Sequence, residues 1–129
     1  MKELDITTLS AGALSYFGDA VLEILTRRRL LESGTGDAGE LNRMAKKYVT
    51  AASQSKAYER IKDTLNEEEQ LYFKRGRNHQ ASVPKSASVA EYRRATGMES
   101  LFAYLYLTGK HTRMQELFDR AFPEEEPEQ

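Results

Sequence analysis

At 129 residues the chain is the size of one domain, and with no cysteine it can form neither disulfides nor thiolate metal sites. Its 40% hydrophobic and 30% charged residues are an ordinary soluble composition, and no apolar run approaches membrane-spanning length. The net charge of −1 taken alone argues against a nucleic-acid partner, and the Met-Lys-Glu-Leu-Asp start lacks the apolar core of a signal peptide. A cytoplasmic protein with no membrane partner is expected.

No segment alternates apolar and polar residues as a strand would, whereas helix signals recur. Thr8 or Ser10 can cap a first helix running to about Leu31, where Gly34 and Gly36 break it. A short helix follows from about Asp37 to Tyr48, and Thr50 caps a third that reaches Asp63. Asn66 with Glu69 forms a capping box for a fourth helix ending near Asn78. The stretch "HQASVPKSAS" reads as a loop. Ser88 with Glu91 then opens a helix to about Thr108, Gly109 stops it, and a last helix spans roughly Thr112 to Phe122. The expected fold is all-α, about six helices over residues 1–122, with an acidic, disordered tail over 123–129.

Two of these helices combine apolar and acidic residues unusually. In the first, Ala13, Phe17, Ala20, Val21 and Ile24 form a broad apolar face, while Gly12, Ser15, Asp19, Glu23 and Thr26 share the other side. Gly18 sits mid-helix, where glycine costs about 1 kcal/mol against alanine, so a close approach is expected there. In the stretch "ATGMESLFAYLYL", Glu99 is the sole charge, on a stripe with Tyr92, Ala95, Thr96, Ala103 and Tyr106.

Burying an ionised carboxylate is expensive unless it is paired or holds a metal. Asp19 and Glu99 are therefore either exposed or arginine-paired, or they meet across packed helices and share a divalent cation. Oxygen ligands without cysteine and with only two histidines point to magnesium or manganese. Glu23, one turn beyond Asp19, can join such a cluster or pair with Arg27; the pairing is the expected role. Arg27 to Arg29 read as a solvated helix end, and His79 and His111 as ordinary surface residues. Too few histidines are present for a histidine-rich metal phosphohydrolase.

Charge is also distributed unevenly. Lys74, Arg75, Arg77, Lys85, Arg93 and Arg94 face only one acid, Glu91, across the middle segment, which carries about +5. "KRGRN" closes one helix and "YRR" opens the next. A basic loop between helices suits phosphate contacts, and a plain charged surface is the alternative.

"YFGDAVLEILTRRRL" resembles the signature helix of the ribonuclease III catalytic domain, with its Phe-Leu-Gly-Asp-Ala-Val-Leu pattern. "TGMESLFAYLYL" resembles that domain's later signature, a glutamate ahead of an apolar run. "FKRGRN" and the run from Pro84 to Thr96 are similar to Mini-ribonuclease III, the bacterial form without an RNA-binding domain. The resemblance spans roughly Leu9 to Leu117 and implies an all-α homodimer that cuts double-stranded RNA with magnesium. It further implies 5′-phosphate and 3′-hydroxyl ends and a role in maturing large-subunit ribosomal RNA. Asp19 and Glu99 match the family's catalytic and metal-binding acids. Other acids of full-length relatives are replaced here by Gly12, Ser15 and Thr96, as in the Mini-type proteins, which leaves coordination positions for water.

With no RNA-binding domain, affinity must come from the catalytic domain. Lys74, Arg75, Arg77, Lys85, Arg93 and Arg94 are expected on phosphates, with Asn78 nearby. An RNA presented by a ribosomal protein would compensate for weak intrinsic binding. The alternative reading is a non-catalytic RNA-binding or ribosome-assembly module on the same fold.

Overall fold

The computed structural model describes residues 2–34, 36–79 and 88–124. Among them are six α-helices and two short 3-10 turns, with no strand: α1 (Ala11–Glu32), α2 (Ala38–Val49), α3 (Ala51–Ile61), α4 (Glu67–Arg77), α5 (Val89–Leu107) and α6 (His111–Ala121). The expected all-α, six-helix architecture is what forms. No described helix is long and apolar enough to cross a membrane.

Local chemistry sets the helix starts. Ser10, rather than Thr8, caps α1 by accepting from the Ala13 amide. Asp37 accepts from the amides of Gly39 and Glu40, Thr50 from Ser53, and Asn66 exchanges bonds with Glu69 in a complete capping box. The Ser88 box takes another form: the hydroxyl accepts from the Glu91 amide and donates to the Glu91 carboxylate. Two stops are left-handed glycines, Gly34 at φ 88° and Gly109 at φ 74°. Much of the stretch expected to be the "HQASVPKSAS" loop, with Lys85 in it, lies outside the described residues, as do residues 125–129 of the tail.

α5 is the axis of the core. From Thr96 to Leu105 every residue but Glu99 is buried, and α1, α3, α4 and α6 pack around it. Phe73, Phe102 and Phe118 are fully buried in the interior, and Tyr58 stacks on Phe73 with ring centres 3.9 Å apart. α4 reaches α5 through glycine. A β-carbon at Gly76 would lie 2.6 Å from the Thr96 carbonyl oxygen, and one at Gly97 would lie 2.5 Å from the Phe73 ring. A buried ion pair joins α4 to α6: Glu69, fully buried, accepts two bonds from Arg113, which also donates to the Thr64 carbonyl.

Only part of the apolar face read on α1 is buried. The helix buries Leu14, Gly18, Val21, Leu22, Leu25, Thr26 and Leu30, while Ala13, Ala20 and Ile24 point outward. α5 crosses along the Gly18 line, so the leucines flanking that glycine take the interior. A second apolar line, including Tyr16 (84% exposed), Ile24 (63%) and Leu31 (64%), is left bare.

Candidate active site

α1 and α5 touch at Gly18. A β-carbon there would fall 1.6 Å from the Glu99 carbonyl oxygen, so only glycine allows this approach. The contact brings Asp19, one position further along α1, and Glu99 itself into one site. Ser15, one turn before Asp19, donates a 2.8 Å hydrogen bond to Glu99 Oε1. Asp19 is exposed and Glu99 half-buried, so the pair opens at the surface.

Burial pushes the Glu99 carboxyl up to about 7, against the opposing effect of the Ser15 hydrogen bond. The negative charge of Asp19, and a proton shared with it, raise it further. The two carboxylates thus repel each other within reach of solvent. Oxygen donors of this kind fit a hard divalent cation, which would remove the repulsion. Among the described residues no group of three or more His, Cys, Asp or Glu side chains converges. Thr96 donates to the Tyr92 carbonyl at 3.0 Å.

The other expected residues divide. Glu23 pairs with Arg27 at 2.9 Å on the surface, the role expected of it. Lys74 and Arg93 are exposed; Arg77 lies beside Asn78 at the end of α4 (3.3 Å). Arg75 bonds the Leu9 carbonyl at 3.0 Å and lies over the Tyr72 ring. Arg94 pairs with Glu59 at 2.7 Å and lies over Tyr58. Both are therefore built into packing. Lys85 falls outside the described residues.

Two features escaped sequence reading. Ser15 was legible as a neighbour on the Asp19 stripe and as the position of a missing acid, but not as the donor that braces Glu99. His79 is not ordinary surface: it is half-buried, and a β-carbon on Gly12 would lie 3.3 Å from its Nε2. His111 is exposed, its ring edge-on to Tyr106.

Residues 12–110 match the family model described as "Ribonuclease III domain". A protein of Symbiobacterium thermophilum named Mini-ribonuclease 3 is 42% identical over 94% of this chain and 94% of its own. The Mini-ribonuclease 3 of Enterococcus faecalis is 41% identical over 89% of each chain. The crystal structure of protein FN1578 from Fusobacterium nucleatum superposes with a TM-score of 0.80 at 32% identity, covering 89% of this chain and 93% of that one. The acid pair, the helical frame and these likenesses agree: the chain belongs to the ribonuclease III family and, within it, groups with the proteins named Mini-ribonuclease 3.

Proposed function

We propose that this protein is an endoribonuclease that hydrolyses phosphodiester bonds in double-stranded RNA at the Asp19–Glu99 pair, using magnesium, with manganese as a substitute. The observation that carries the reading is the pair itself: two carboxylates, one braced by Ser15, meeting in an otherwise apolar helix contact. A carboxylate pair held at this cost in repulsion and desolvation suits cation binding better than structural support.

A divalent ion bound there supplies Lewis acidity, drawing charge from a phosphate oxygen and lowering the pKa of water. The chain's own residues prepare that chemistry. Gly18 sets the spacing of the two helices, Ser15 fixes the rotamer of Glu99, and the half-buried setting limits water around it. Attack by water on phosphorus, with the 3′-oxygen leaving, yields 5′-phosphate and 3′-hydroxyl ends. Lys74, Arg77, Asn78 and Arg93 are the exposed or surface-edge groups best placed for phosphates; Arg75, Arg94 and Lys85 complete the basic segment.

Maturation of large-subunit ribosomal RNA in the cytoplasm is the proposed role. A ribosomal protein presenting that RNA would add to the affinity of the domain. A second copy of this chain is the proposed occupant of the bare line Ala13, Tyr16, Ala20, Ile24 and Leu31 on α1. That line adjoins the acid stripe, so a symmetric pair would carry two sites for two strands.

The test compares labelled RNA duplex, the single strands and the matching DNA duplex as substrates, with end analysis of the products. Cutting confined to duplex RNA, leaving 5′-phosphates, supports the reading. Binding without cutting would leave an RNA-binding module.

A further inference from the structure

We propose that His79 is a positioning residue for the RNA strand, its imidazole Nε2 donating a hydrogen bond to a phosphate that flanks the scissile one. The inference rests on the nuclease reading above. Three observations place the ring.

The first is its seat. The His79 amide bonds the Gly76 carbonyl at 3.1 Å just past the end of α4, and the ring lies over Gly12 on α1. Gly12 leads a line that continues through Ser15 to Asp19. Seven residues of helix place Gly12 roughly 10 Å from Asp19, almost directly along one face. His79 therefore caps the N-terminal end of the stripe whose other end is the acid pair.

The second is its hydrogen bonding. Neither ring nitrogen has a hydrogen-bond partner among the described residues, although the side chain is half-buried. In its Nε2–H tautomer the imidazole is a donor at Nε2, and a backbone phosphate is a strong acceptor.

The third is its company. Lys74, Arg77 and Asn78 precede it on the last turn of α4, so a strand lying along the stripe would meet donors on that side. Gly12 supplies the space: a larger residue would press on the ring from 3.3 Å.

The experiment measures steady-state cutting of an RNA duplex by the wild type, His79→Ala and His79→Gln, with melting temperatures alongside. Single neutral methylphosphonates are placed in turn at the phosphates flanking the cut. His79→Ala is expected to raise KM about fivefold, the loss of one hydrogen bond, with kcat and melting temperature unchanged. His79→Gln, whose amide N–H has a comparable reach, is expected to restore most of it. One methylphosphonate should weaken the wild type as much and leave His79→Ala unaffected. Equal KM for wild type and His79→Ala, no recovery with Gln, or equal sensitivity of both enzymes to every methylphosphonate would overturn the proposal. A wild type that does not cut would bring down the nuclease reading, and this proposal with it.

Discussion

Gly18 and the Glu99 carbonyl are in direct contact, with no room between α1 and α5 for a single methyl group. The position of the acid pair follows from that contact, because Asp19 and Glu99 are fixed by the two backbones that meet there.

Gly18→Ala should therefore force the helices apart. The obstacle is backbone, so no side chain can turn aside, and the cost is expected at the upper end for overpacking, about 3 kcal/mol. A lowered midpoint in denaturant melts checks this, and nuclease activity should fall further than stability alone explains. A fully stable Gly18→Ala would mean the helices are not held this close.

Glu99 links folding to pH. Its carboxyl stands at about 7 when folded, above its ordinary value of 4.5, chiefly through burial. The folded state thus favours the protonated form. Its contribution to stability is fully present below about pH 4.5 and is lost as pH rises through about 7. Glu99→Gln stays neutral throughout, so near pH 8 without divalent ions it should be more stable than wild type, by about 1–3 kcal/mol. Magnesium should raise the melting temperature of the wild type but not of Glu99→Gln.

Ser15→Ala removes the hydroxyl that holds the Glu99 carboxylate down. The Glu99 value should rise further, and the acid limb of the pH–rate profile should move to higher pH. Activity near neutrality should drop about tenfold, consistent with one hydrogen bond to a charged group. An unmoved limb would show that Ser15 does not act through Glu99.

Arg113→Met should leave Glu69 charged and buried without its partner, at a cost of about 3–5 kcal/mol. Replacing both, as Arg113→Met with Glu69→Met, should recover part of that loss. Equilibrium unfolding of the wild type and the two variants measures it. Since this pair joins α4 to α6 away from Gly18, the activity of whatever remains folded should be preserved.

How much was legible in the sequence depended on the range of each interaction. Caps at Ser10, Asp37, Thr50 and Asn66 are made within three residues, so the helix starts could be read directly. Asp19 and Glu99 stood out as acids in apolar helices, and Gly18 as a glycine that had to allow close approach. The reading failed where partners lie far along the chain. Arg94 looked free until Glu59 and Tyr58 were seen against it, and Arg75 until Leu9 was. His79 meets Gly12 only because α4 ends beside α1. Which side of α1 is buried was not legible, because this helix is apolar on two sides and periodicity does not say which side α5 covers.

The most direct measurement is cleavage of an end-labelled RNA duplex by the wild type, Asp19→Asn and Glu99→Gln, with magnesium and then with chelator. The account predicts wild-type cutting that requires the metal and is lost in both variants while duplex binding persists. Full cutting by Asp19→Asn, or by the wild type in chelator, would contradict it.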